Sequence, residues 1–268
     1  MKQYVTQVWL LLTLSLLAFT AKAQPSKADS ILKLHFDNAG GIEAWKKINS
    51  YILTQSAGQV SFSPRSITDY AKEDEIKEHP TVTYYQYPDN YRIEMFTDSE
   101  FDRTTDDKLT AVFLMTAHES RGYNLFNGSD PGPGIKFPDN IHQGVLNSQP
   151  FSGLGPTHFI LLKMAEAEIQ YNGFVEVYGK NCYQLVLYDK KFNSTVNLYM
   201  DAKTYLVHAV SSREYPQFYK IYADYQLKDG LMIPYTFTGY KEGKVIERFK
   251  TLAVKINEEF DEAIFLRR

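Results

Sequence analysis

Apolar positions along the chain change their spacing three times. Residues 8–19 (VWLLLTLSLLAF) are an apolar run with no charge. Ile31, Leu32, His35 and Phe36 then form a stripe at helical spacing, and Gly40-Gly41 ends it. A second short helix is expected over 42–48, with Ile42, Trp45 and Ile48 on one side. From Tyr51 the period becomes two, the mark of a pleated strand. Strands are expected over 51–62, 109–115 and 121–126, and a hairpin over 81–87 and 91–97 about Pro88-Asp89-Asn90. Helical spacing returns over 157–171, with Phe159, Leu162, Met164, Ala165 and Ile169 as buried positions. Seven further strands follow over 174–178, 183–188, 195–201, 206–213, 218–227, 233–240 and 245–256.

The turns between those last strands are short, so sequence neighbours pair antiparallel as a meander. No long helix separates them, which excludes a parallel βαβ fold. Several strands are apolar on both faces. In 218–227 one face carries Tyr219, Ile221, Ala223, Tyr225 and Leu227; the other carries Phe218 and Tyr222 among Lys220, Asp224 and Gln226. A sheet with one wet face alternates cleanly. The exception points to a curved sheet wrapped around helices or a ligand. Tyr 20 and Phe 17 in 268 residues lean the same way, toward β structure.

The early apolar run acquires a meaning from its flanks. Lys2 precedes it, and Ala21-Lys22-Ala23 places small residues before Gln24. That is the pattern of a cleaved secretory signal over residues 1–23. About a dozen apolar residues fall short of the roughly 20 needed to span a bilayer. No cysteine follows the cut, so no lipid anchor is expected. Residues 24–268 would form a single domain, with loop insertions near 62–80 and 127–155. The first includes the charged, solvated stretch 69–78; the second concentrates glycine and proline.

Loss of Lys2 and Lys22 takes the net charge from −3 to about −5. A mildly acidic chain lacks the basic footprint of a nucleic-acid binder. Cys182 is alone, so no intramolecular disulfide and no cysteine metal cluster can form; it reads as a buried, inert thiol. The six histidines show no metal-ligand spacing. His118-Glu119 lacks its second histidine, because position 122 is Gly122. Ser152 lacks the flanking glycines of a nucleophile elbow, since Pro150 and Leu154 stand there. Asp130-Pro-Gly-Pro-Gly134 has no Lys-Ser/Thr ending. No constellation points to catalysis, and no metal or cofactor is expected.

The residues that remain resemble a known family. The opening Ala28-Asp-Ser-Ile-Leu…Ala39-Gly-Gly41-Ile-Glu-Ala-Trp45-Lys-Lys-Ile48 carries the likeness. So do Tyr87-Pro88-Asp-Asn-Tyr91-Arg92-Ile-Glu94, Leu198-Tyr-Met-Asp201-Ala-Lys-Thr204, Tyr222-Ala-Asp-Tyr225…Asp229-Gly230-Leu-Met-Ile-Pro234 and Lys255-Ile-Asn257…Phe260-Asp261…Phe265. Together they are similar to the LolA-like periplasmic lipoprotein carriers, the group of outer-membrane lipoprotein-sorting proteins. Tyr87 stands where the carrier has the basic residue that helps close its lid.

The resemblance implies a mainly β (α+β) fold: a strongly curved antiparallel sheet, an unclosed half-barrel, with N-terminal and middle helices over its concave face. It implies a periplasmic, non-catalytic monomer that binds lipid or the acyl chains of a lipoprotein between sheet and helices. The expected lining is Trp45, Leu185, Leu198, Met200, Phe218, Tyr222 and Phe237. Two other classes stay open. One is an envelope adaptor or sensor that binds a membrane protein's periplasmic part; the other is a glycan binder using exposed, coplanar tyrosines.

Overall fold

The computed structural model describes residues 26–59, 78–87, 90–96, 109–116, 120–124, 135–136, 153–190, 193–213 and 216–265. The signal segment, most of the insertions near 62–80 and 127–155, and the Pro88-Asp89 turn lie outside them.

Helix α1 (Lys27–Asn38) begins one turn earlier than its apolar stripe. Ser26 caps it, and Asp29 returns the bond to the Ser26 backbone, a capping box. The expected stripe is the buried one: Ile31, Leu32, His35 and Phe36, joined by Ala28. Helix α2 (Ile42–Trp45) is a single turn, and helix α3 spans Pro156–Lys163.

Thirteen strands among the described residues make one antiparallel sheet. In chain order they are β1 (Ser50–Gln59), β2 (Glu78–Gln86), β3 (Asn90–Phe96), β4 (Leu109–Met115), β5 (Ser120–Asn124) and β6 (Ile135–Lys136). After α3 come β7 (Ala167–Val177), β8 (Lys180–Asp189), β9 (Ser194–Asp201), β10 (Val207–Ser212), β11 (Phe218–Lys228), β12 (Leu231–Lys241) and β13 (Lys244–Ile256). The spatial order is β6-β5-β4-β3-β2-β1-β13-β12-β11-β10-β9-β8-β7. Two meanders are thus joined where β1 pairs with β13, Leu53 opposite Val254. The ends of the order, β6 and β7, do not pair, so the sheet stays unclosed.

The helix expected over 157–171 is shorter. It stops at Lys163, and residues from Ala167 are strand β7. Burial along β7 alternates with period two. Pairing decides the matter: Ile169 lies opposite Leu187 and Tyr171 opposite Leu185, so the ladder with β8 outweighs a local helical pattern. Of the expected buried positions, Phe159 is buried; His158 and Ile160 beside it are buried as well.

The main core lies between the sheet and the helices. Ile31, Leu32 and Phe36 of α1 and Phe159 and Ile160 of α3 pack with Leu185, Leu198, Met200, Ile233 and Val254 from the strands. On the opposite face the chain's end covers β1–β3: Phe265 packs with Val82 and Tyr84, and Arg92 donates to the Ile264 carbonyl at 3.0 Å.

One glycine locks α1 to the far meander. Gly40 has φ 107°, and a Cβ there would lie 2.1 Å from the Gly230 carbonyl oxygen in the β11–β12 turn. The neighbouring Ala39 carbonyl accepts from Met232 N at 3.0 Å and from Trp45 Nε1 at 2.9 Å. Gly40→Ala is therefore expected to cost about 3 kcal/mol, combining backbone strain with a forced separation. Gly41→Ala, with φ 93° but open space, should cost only about 1–2 kcal/mol of strain. Urea unfolding of both variants checks the difference; equal costs would contradict the close approach.

Candidate functional site

Register places the expected lining residues on the core side of the sheet. Leu185 of β8 is opposite Leu198 of β9, and Leu198 is opposite Val210 of β10. Tyr222 of β11 is opposite Phe237 of β12, and Phe237 is opposite Phe249 of β13. Trp45, Leu185, Leu198, Met200, Tyr222 and Phe237 all join the one main core cluster, each at most 6% exposed. Phe218 sits apart from them, at the start of β11, and lines a cavity.

That cavity has a volume of about 390 Å³. Its described lining comes from strands β9–β13 and none of it from a helix. It lies at the end of the sheet remote from the β11–β12 turn where α1 is held. Val196, Val210, Ser212, Phe218, Lys220 and Glu247 carry its walls. Val196 and Val210 also pack into the main core, and Phe218, Lys220 and Glu247 share its face, so the larger part of the lining is on the core side; Tyr219, from an alternate position of β11, lines it too and packs with Tyr199 on the other face. The row Tyr222–Phe237–Phe249 lies one step deeper; Phe237 and Phe249 stack with ring centroids 4.3 Å apart.

Above that row the register aligns Val210, Lys220, Gly239 and Glu247. Gly239 has no side chain, so Lys220 and Glu247 meet across it, Nζ to Oε1, at 3.4 Å. A Cβ at Gly239 would lie 2.3 Å from Glu247 Cγ. The same ammonium stands 5.3 Å from the Phe237 ring centroid, within cation–π range. Lys241, at the end of β12, stands 5.3 Å from the ring of Phe218. The site is an apolar trough with one ion pair laid across its floor.

Sequence reasoning did not select Lys220, Gly239 or Glu247. A signal existed in the alternation of β11, where Lys220 falls on the same face as Phe218 and Tyr222. The alternation of this strand is interrupted at Asp224, which has φ 50°. Beyond it Tyr225 packs against the main core, and its hydroxyl donates to the Val207 carbonyl at 2.7 Å.

A second cluster lies under α2 and α3. His158 of α3 is buried against Trp45, Tyr51 and Tyr85, with ring centroids 6.4, 6.0 and 5.4 Å away. Its Nδ1 has no hydrogen-bond partner among the described residues, and burial lowers its pKa to about 4. His35 Nδ1–H donates to the Tyr205 carbonyl at 2.9 Å; burial likewise lowers its pKa to about 4. These histidines are neutral packing groups.

The other candidates fall as follows. Cys182 is fully buried, and burial pushes its thiol up to about 11, as suits an inert side chain. Tyr87, just past the end of β2, is 57% exposed. Tyr178, also exposed, meets Tyr219 and Tyr240 at interplanar angles of 62° and 39°, and Tyr183 stacks on Tyr205 at 18°. Among the described residues no group of three or more His, Cys, Asp or Glu could hold a metal ion, and no helix is long and apolar enough to cross a membrane.

No protein-family model and no curated protein sequence matches the chain. Solved structures do. A DUF1329 family protein from Desulfovibrio piger superposes with a TM-score of 0.57 at 10% identity, covering 90% of this chain and 98% of that one. A LolA superfamily protein from Nitrosomonas europaea gives 0.54 at 12% identity, covering 90% and 98%. A domain described as an outer membrane lipoprotein-sorting protein, from Vibrio parahaemolyticus, gives 0.50 at 11% identity, covering 87% and 97%. At such identities the likeness concerns architecture. The chain has the LolA-like fold, an unclosed antiparallel half-barrel with helices on its concave face.

Proposed function

We propose that this is an exported, periplasmic, non-catalytic protein that binds the acyl chain of a lipid or lipoprotein. The observation that carries the reading is the apolar cavity of about 390 Å³ on the core side of the curved sheet. The volume lies within the range of small-molecule sites, roughly 300–1,000 Å³. A dry cavity of about 150 Å³ takes one benzene, so this one takes on the order of 15 carbon atoms. That suits a single chain. Each buried CH₂ contributes roughly 0.8 kcal/mol, so a chain of about 14 carbons could supply on the order of 10 kcal/mol before ordering costs. The names of two similar structures, LolA superfamily and outer membrane lipoprotein sorting, are in keeping with this reading. The signal pattern at the start of the chain supports an address outside the cytoplasm.

The site in this proposal differs from the expected one. The lining moves from the residues under the helices, which fill the core, to the end of the trough formed by β9–β13. Of the expected set, Phe218 stays in the lining; Tyr222 and Phe237 lie one step deeper, in the main core cluster.

An apolar fluorescent dye tests this. Wild-type protein should show a saturable rise in dye fluorescence that long-chain amphiphiles reverse. Val196→Trp, which fills the trough from β9, should weaken dye binding at least tenfold with an unchanged far-UV spectrum. A wild type that gives no fluorescence gain, or a variant that binds dye as tightly, would overturn the assignment of the cavity.

A further inference from the structure

The polar row across the trough distinguishes the head of the ligand as well as its chain. A trough built for hydrocarbon alone has no use for an ion pair, because burying charge beside apolar groups is costly. Here Lys220 and Glu247 both line the cavity, their side chains 30% and 17% exposed. Their separation of 3.4 Å is longer than the 2.7–2.9 Å of a charge-assisted hydrogen bond. An ammonium has three donors. Lys220 can therefore take a second oxygen acceptor from within the cavity while it still faces Glu247.

The rim has the same sign. Lys241 and Lys244 flank Glu242 in the β12–β13 turn, and Arg213 follows the lining residue Ser212. Lys241 already stands over Phe218, a wall of the cavity. Among the described residues of these two segments, Lys241, Lys244 and Arg213 stand with one acid, Glu242. The volume, meanwhile, suits one chain on the order of 15 carbons.

We infer that the ligand is a single-chain amphiphile with an anionic head, such as a long-chain carboxylate, and that Lys220 receives the head. This rests on the acyl-binding reading above and adds the chemistry of the head to it. Glu247 holds the ammonium over the Phe237 ring and competes with an incoming anion. Gly239 makes the arrangement possible by leaving the space between them vacant.

Displacement of a bound apolar dye by three ligands of one chain length tests the inference: tetradecanoate, tetradecanol and tetradecyltrimethylammonium. Wild type should bind the carboxylate at least tenfold more tightly than the alcohol, and the cation most weakly. Lys220→Met should bring the carboxylate and the alcohol level, and Lys220→Arg should restore the preference. Glu247→Gln should tighten carboxylate binding several-fold and leave the alcohol unchanged. Tetradecyl phosphate, as a fourth arm, should also bind more tightly than the alcohol, because an ammonium reads charge; binding no tighter than the alcohol would count against Lys220 as the receiver. Equal binding of carboxylate and alcohol by wild type overturns the inference while leaving acyl binding intact. Displacement by none of the ligands overturns the acyl-binding reading itself. Should Lys220→Met fail to fold, the head preference of wild type and its strengthening in Glu247→Gln decide the question.

Discussion

Between pH 6.5 and pH 4 the protein is expected to lose about 3 kcal/mol of stability for each of His35 and His158, about 6 kcal/mol together. Both are buried among apolar and aromatic neighbours, and burial lowers each pKa to about 4. In the unfolded chain an exposed histidine takes up its proton near pH 6.5. Below that value the unfolded state binds protons that the native state refuses, so stability falls with falling pH. The loss tapers off below about pH 4, as the native histidines protonate too. Above about pH 7.5 these groups contribute no slope. Urea unfolding across this range measures the effect. His158→Phe keeps an aromatic ring against Trp45, Tyr51 and Tyr85 and should remove the His158 share of the loss, about 3 kcal/mol. A flat profile in the wild type would show that these histidines are not held neutral.

Trp45→Ala is the second large expectation, a loss of about 4 kcal/mol. The ring is fully buried and stacks beside His158. Its Nε1 donates to the Ala39 carbonyl, the same oxygen that receives Met232 N. Removing the ring opens a cavity where α2, α3 and the β11–β12 hairpin meet. Trp45→Phe should recover most of the packing and leave one acceptor with a single donor, a cost of about 1–2 kcal/mol. Guanidinium unfolding of the pair separates packing from hydrogen bonding. Because Trp45 is remote from the trough's lining, Trp45→Phe should leave dye affinity unchanged. A large loss of affinity in this folded variant would move the ligand site under the helices.

The architecture was legible because short hairpin turns leave little freedom. Tyr178-Gly179, Asp229-Gly230 and Glu242-Gly243 all take left-handed φ values at both residues, the geometry of tight antiparallel hairpins. Once those turns are recognised, β7–β8 and β11–β13 follow in order. The helix over 157–171 was over-extended for the opposite reason. Leu162, Ala165 and Ile169 satisfy a helical period locally, and only the distant partner Leu187 makes Ile169 strand. Pairing between strands is not visible in a window of sequence.

The site was less legible than the fold. Apolar periodicity finds what is buried, and Trp45, Leu185, Leu198 and Met200 are buried. It does not separate side chains that fill a core from those that bound a space. That distinction depends on where the helices stop covering the sheet. The pairing of Lys220 with Glu247 depends on register across two ladders, about a glycine whose lack of a side chain is the determining feature. A bulge between Gly239 and Tyr240 shifts the β12–β13 register at that point, so counting residues from the turn would misplace the pair.

Native mass spectrometry of the full chain mixed with tetradecanoate tests the central claim most directly. Wild type is expected to carry one added fatty-acid mass, at one equivalent and saturably, while Val196→Trp carries none under the same conditions. An unliganded wild-type spectrum at saturating fatty acid, or equal loading of the two proteins, would contradict binding of an acyl chain in this trough.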